Sequence, residues 1–210
     1  MFRRSTRALA LAGVMLLTGC HLFRARPAPP PAAPAPAAVA ALWPARRAEL
    51  QQRPHYEVKG RVAVKAGNDG FDAHLHWVQD GPRTQLQLAG PLGAGGVQVS
   101  AEGDHLTIVD AHGKHLSANA AKAQLHDRLG FDAPLSSLRF WMLGVPDPGQ
   151  PVGQEVLGDD LLHLAQLQQS GWQIDYTAYM PAGGGESLPA KVTLQRADVR
   201  VRLIVDSWGD

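Results

Sequence analysis

Nine histidines, nineteen carboxylates and one thiol are the groups in this 210-residue chain from which chemistry could be built. His74 and His76 stand two apart on the polar side of a strand-like stretch, and His112 and His115 lie close together in turn-like sequence. Either pair could begin a metal site, but no third ligand follows at a telling spacing. The acids are scattered singly through polar faces and turns, so spacing brings forward no carboxylate pair for general acid–base work. There is no G-x-S-x-G elbow, no P-loop and no G-x-G-x-x-G after a strand. The glycines of "GAGG" and "AGGGE" sit in turns, with no following helix to hold a phosphate. The expectation is therefore no catalytic residue, no metal ligand and no cofactor.

The thiol has a different use. Arg3, Arg4 and Arg7 precede the apolar run "ALALAGVMLL", which is too short to span a membrane and reads as a secretory signal. The run closes on Leu17-Thr18-Gly19-Cys20, which resembles the bacterial lipobox. That resemblance implies cleavage before Cys20 and lipid on its sulfur and new amino terminus. Cys20 is the only cysteine, so neither an intrachain disulfide nor a thiol nucleophile is available. Removing residues 1–19 takes away three arginines and no acid, which leaves 17 basic against 19 acidic residues and moves the formal charge from +1 to −2. A nearly neutral chain argues against nucleic acid as a partner.

Residues 20–41, "CHLFRARPAPPPAAPAPAAVAA", are dominated by Pro and Ala. Such a stretch buries too little apolar surface to fold and reads as an extended spacer of about 3 Å per residue. Three parts follow: a signal over 1–19, a lipidated cysteine and tether over 20–41, and one folded domain over 42–210.

In that domain the elements are mostly strands. A short helix is expected over 42–53, with Pro44 in its first turn. Tyr56, Val58, Val62 and Val64 share one face of a strand, and Phe71, Ala73, Leu75 and Trp77 one face of the next, with "AGND" as the turn between them. Further strands are read over 83–90, 95–102 and 105–111, with "GKHLSA" as a sixth. A helix over 119–130 places Ala121, Leu125 and Leu129 on one side. A second, over 134–144, carries Leu135, Leu138, Trp141 and Met142. Strands return over 160–169, 171–180, 188–197 and 199–208. A meander, two helices and a second meander suggest a curved antiparallel sheet with helices over its open side. Such a sheet either fills its concavity with side chains or holds something apolar there. Trp77, Trp141, Trp172, Tyr176 and Trp208 fit either arrangement. One stretch stays apart: "LAGPLGAGG" puts Leu92 between Pro91 and Gly93 in turn sequence, where it either folds back onto a core or stands out.

Taken together, these pieces resemble the LolB family of outer-membrane lipoprotein receptors, which completes bacterial lipoprotein sorting. "YEVKGRVAV", "FDAHLHWVQ", "LAGPLG", "PLSSLRFWMLGVP", "GWQIDYTAY", "LPAKVTL" and the closing "VRLIVDSW" carry the resemblance, from about Trp43 to Trp208. It implies a mainly β fold, an incomplete antiparallel barrel with a helical lid over an apolar cavity. It implies a monomer anchored in the outer membrane and facing the periplasm, which accepts lipoproteins from a LolA-like soluble carrier and inserts them into the inner leaflet. No cofactor is implied. Pro91, Leu92 and Gly93 correspond to the family's protruding loop, implicated in pushing cargo into the membrane. His21, which is not aspartate, fits export to the outer membrane. The acyl-binding cavity is expected to use Val62, Val64, Phe71, Leu75, Trp77, Leu138, Trp141, Met142 and Trp172. A lipid-anchored scaffold with a filled core, or a small-lipid-binding module without transfer, is the alternative. A periplasmic hydrolase stands third.

Overall fold

The computed structural model describes residues 36–90, 96–103, 105–109, 112–116, 131 and 133–209, with isolated helical positions at 119, 120, 123 and 126. Cys20, His21 and the Pro91–Gly93 turn lie outside the described residues, as does most of the helix expected over 119–130. The elements run α1 (Pro36–Gln51), β1 (His55–Ala66), β2 (Asp69–Asp80), β3 (Arg83–Ala89), β4 (Val97–Glu102), β5 (His105–Val109) and β6 (His115–Leu116). After these come α2 (Leu135–Met142), β7 (Val152–Leu157), β8 (Leu164–Gln169), β9 (Trp172–Pro181), β10 (Ser187–Arg196) and β11 (Val199–Gly209).

All eleven strands form one antiparallel sheet in the order β6-β5-β4-β3-β2-β1-β11-β10-β9-β8-β7. Each half is a meander of neighbours in sequence, and the halves join where β1 pairs with β11 over Glu57–Ala66. The outermost strands, β6 and β7, do not pair with each other, so the barrel stays open. That is the mainly β, unclosed architecture expected from sequence. Alternation explains why the sheet has one apolar face. On β1, Tyr56, Val58 and Val64 are buried, and on β2, Ala73, Leu75 and Trp77, while their sequence neighbours face solvent or are only part-covered. The β1–β11 register shifts between Lys59 and Gly60. A Cβ at Gly60 would stand 2.3 Å from the Ile204 carbonyl oxygen, so only glycine lets the two backbones approach there.

Three elements differ from expectation. Strand β7 stands where no strand was read, because it is an edge strand with no fully buried position and so shows no period-2 pattern. The strand expected over 160–169 begins only at Leu164, since 158–163 turns back on itself through hydrogen bonds from Gly158 N to His163 O and from Leu161 N to Gly158 O. Helix α1 begins at Pro36 rather than in the low forties, and takes in the last six residues assigned to the tether. Alanine is the strongest helix former, and "PAAVAA" supplies four of them ahead of Leu42. Pro44 consequently sits inside the helix, not in its first turn.

Helix α1 is tied to the second meander. Trp43 Nε1 and Arg47 both donate to the Glu155 carboxylate of β7 at 2.7 Å, and Gln51 donates to the Pro146 carbonyl at 2.8 Å. Arg46 and Arg53 both pair with Glu186, beside the start of β10. Leu50 and Trp43 are buried beneath these polar contacts.

Candidate functional site

The concave face of the sheet and the segment leading into α2 enclose a cavity whose lining is apolar throughout. Val62 and Val64 come from β1, and Phe71, Leu75 and Trp77 from β2. Leu86 and Leu88 (β3), Trp172 (β9), Leu194 (β10), and Val201 and Leu203 (β11) complete the floor. The roof is Phe131, Ala133, Pro134, Leu135, Leu138 and Met142. Among the described residues no charged side chain lines this space. Its volume is about 90 Å³, well below the ~300–1,000 Å³ of a typical ligand pocket.

Eight of the nine residues expected around a cavity line this one; Trp141 does not. Trp141 is almost fully buried, but its indole Nε1 donates to Gln169 Oε1 at 2.7 Å, away from the lining. The aromatic residues thus divide into two groups. Trp77 and Trp172 line the space, and Phe131 packs edge-on against Trp172 at 5.3 Å between centroids. Trp141, Tyr176 and Trp208 hold the frame. Leu86, Leu88, Leu194, Val201 and Leu203 were not singled out from sequence; they lie on strands whose ranges were read there but whose faces were not assigned.

The two ends of α2 are held differently. Toward the C-terminal end, Tyr56 Oη donates to the Arg139 carbonyl at 2.7 Å, and Tyr176 Oη to the Trp141 carbonyl at 2.9 Å. Burial pushes both hydroxyls far above the usual tyrosine range, partly opposed at Tyr56 by the Arg139 charge. Both therefore remain donors at any physiological pH. Just beyond the helix, the Gln169 side chain makes four hydrogen bonds. Its oxygen accepts from Trp141 Nε1 and from Asp147 N at 2.9 Å; its nitrogen donates to the Asp147 carbonyl at 2.9 Å and the Gln150 carbonyl at 3.0 Å. The buried Asp147 carboxylate accepts from Ser137 Oγ at 2.7 Å and Gly149 N at 2.8 Å. At its N-terminus, by contrast, α2 follows Pro134 with no side-chain cap, and Leu135 and Leu138 are only half-buried over the cavity. The C-terminal end is pinned by several buried hydrogen bonds, whereas the first turn has one side-chain tie, Ser137 to Asp147, and otherwise rests on apolar contacts.

The histidines are placed elsewhere. His76 meets Glu57 at 2.8 Å, while His74 and His115 lie exposed on the outside of the sheet. Among the described residues no three His, Cys, Asp or Glu side chains converge as a metal site would require, and no helix is long and apolar enough to cross a membrane.

Comparison with known proteins agrees with this architecture. The family model described as "Outer membrane lipoprotein LolB" matches residues 54–208. The Outer-membrane lipoprotein LolB of Nitrosococcus oceani is 33% identical over 202 residues, covering 96% of each chain. That of Pseudomonas syringae pv. syringae is 29% identical over 208 residues, covering 99% of this chain and 97% of its own. Among solved structures, a LolA superfamily protein from Nitrosomonas europaea superposes with a TM-score of 0.50 at 9% identity, covering 79% of this chain and 91% of its own; that likeness is one of fold. The chain belongs to the LolB family of outer-membrane lipoproteins.

Proposed function

We propose that this protein is an acceptor for lipoproteins: it takes them from a LolA-like periplasmic carrier, holds their acyl chains in the cavity under α2, and releases them into the outer membrane. The observation that carries this reading is the cavity lining, drawn from six strands and helix α2 and apolar at every described position. Cys20 carries the lipid anchor, on the lipobox ending of residues 17–20. Leu92 seats the domain on the bilayer and helps to drive cargo in. No nucleotide or cofactor takes part, and each step is downhill by a kcal/mol or two.

In its closed form the cavity is too small for an acyl chain, so entry requires the N-terminal end of α2, held by fewer polar contacts, to lift. Exposing Phe131 in full and the covered halves of Leu135 and Leu138 costs roughly 3–6 kcal/mol in all. Each buried methylene returns about 0.8 kcal/mol, so about four to eight of them offset the opening. Long acyl chains are accepted under that balance, and short ones are not. The small closed volume also favours a second reading, the lipid-anchored scaffold whose core is simply filled.

A fluorescent fatty-acid series separates the two. The acceptor reading expects binding that tightens about fourfold per methylene and is lost, with the fold intact, in Leu138→Glu, which sets a carboxylate in the roof. Absence of binding by any long-chain probe, or binding indifferent to chain length and to Leu138→Glu, favours the scaffold.

A further inference from the structure

On the convex side of the sheet, opposite the cavity, the fold leaves a group of cations without partners. Lys65 and Arg200 stand directly across from each other on β1 and β11, and Arg202 faces Ala63 one step further along. All three cations are exposed. Like charges directly opposite on neighbouring strands repel, and nothing within the described residues relieves these. Lys65, Lys191, Arg200 and Arg202 make no ion pair and no side-chain hydrogen bond there. Other cations of the same face are paired: Glu57 holds Lys59 at 2.8 Å and also meets the His76 ring at 2.8 Å, and Asp206 holds Arg61 at 3.1 Å. Among the described residues, four acids of the face have no cationic partner: Asp72, opposite Ala63 on β2, Asp175 on β9, which borders one groove with Arg200 and Arg202 and bonds only the Gln166 and Gln173 amides, and Asp69 and Asp198 at the hairpin ends. The four cations cluster on the adjoining strands β1, β11 and β10, whereas these acids stand on separate strands and at the turns.

Their level in the sheet matters. The chain leaves β3 at Ala89, which pairs with His74, and His74 pairs with Arg61, which faces Ile204. Lys65, Arg200 and Arg202 all lie beyond that level, toward the end of the sheet from which the 90–96 connection departs. Ile204, 39% exposed, sits between Arg61 and Lys191 at the level of departure.

We propose that this face, centred on Lys65, Arg200 and Arg202, docks the domain onto anionic phospholipid headgroups of the membrane. The proposal rests on the lipoprotein-transfer reading, which places the domain beside a bilayer, and adds the partner for a surface that reading does not use. Long, exposed side chains with no fixed acceptor suit the diffuse negative potential of a leaflet, to which each cation adds attraction independently. With an exposed apolar residue among them and the insertion loop leaving the same end, the cations would hold the rim against the bilayer while cargo moves.

The test uses the chain from position 20 onward with Cys20→Ala, so that no lipid anchors it, sedimented with vesicles of phosphatidylcholine alone or mixed equally with phosphatidylglycerol. Binding is expected to the anionic vesicles only, and to vanish at an ionic strength of about 1 M, where the screening length is about 3 Å. The triple variant Lys65→Gln, Arg200→Gln, Arg202→Gln should bind about a hundredfold more weakly, about fivefold per cation. Arg83→Gln, which removes the exposed partner of Glu102 at the other end of the sheet, should bind as the parent does. Equal binding to both vesicle types, or full binding by the triple variant, overturns the proposal. So does a triple variant that keeps vesicle binding but no longer takes cargo from a loaded carrier, since the face would then dock an acidic protein. Should the parent chain itself fail to take cargo, the transfer reading falls, while the vesicle contrast still decides this proposal on its own.

Discussion

Gln169→Leu lowers the stability of the folded domain by about 3–5 kcal/mol. The leucine keeps the volume but removes both ends of the amide. It strands the Trp141 indole N–H, the Asp147 N–H and two carbonyls in an interior where Gln169 itself is only 2% exposed. Each buried polar group left without a partner costs about 1–3 kcal/mol, and the released loop can recover water for only part of the set. At about 2–4 °C per kcal/mol for a domain of this size, the melting temperature falls by roughly 6–20 °C. Gln166→Leu on the same strand is the control. Gln166 bonds only the Asp175 carboxylate, from the part-exposed outer face, and its loss stays below about 1 kcal/mol. Denaturant titration separates the two: the midpoint moves at unchanged slope for Gln169→Leu and hardly at all for Gln166→Leu. Equal, small shifts would mean that Gln169 does not anchor the C-terminal end of α2.

Leu92→Glu abolishes delivery of cargo into vesicles while leaving its acceptance from the carrier intact. Placing one leucine in a bilayer is worth roughly 1.5–3 kcal/mol, and 1.4 kcal/mol is a factor of ten. Losing the side chain alone, as in Leu92→Ala, therefore slows delivery by about tenfold to a hundredfold, and a carboxylate at the tip adds a desolvation cost on top. The proposed lipid anchor on Cys20 would be unaffected, because each acyl methylene contributes about 0.8 kcal/mol and such lipids outweigh a leucine many times over. The cavity keeps every described lining residue, of which Leu88 is the last on β3. Cargo should thus accumulate on the Leu92→Glu protein. Delivery at the parent rate would remove Leu92 from the mechanism.

The sheet was legible in the sequence because period-2 alternation records which side of a strand is buried, and β1, β2 and β11 are buried on one side only. That same signal is silent for β7, whose residues are exposed or half-exposed throughout. It also could not separate a filled concavity from a cavity, because both need apolar residues at the same positions. Trp77 and Trp141 look alike in sequence, yet one lines the space and the other serves the α2 anchor. Gln169 offered a clue. It falls two residues after the fully buried Leu167, so the alternation puts it inside, where an amide needs partners that only the folded 146–150 turn supplies. The start of α1 was hidden by composition, since the prolines that mark the spacer run directly into alanines that favour helix.

The most direct measurement mixes the chain from position 20, with Cys20→Ala, with a carrier loaded with triacylated lipoprotein, and asks by pull-down whether the cargo changes hands without nucleotide. Transfer of the cargo, blocked by Leu138→Glu in the cavity roof and untouched by Leu92→Glu in the loop, is the predicted result. A folded domain that takes no cargo from an active carrier, or takes it equally well with a carboxylate in the roof, would contradict the account.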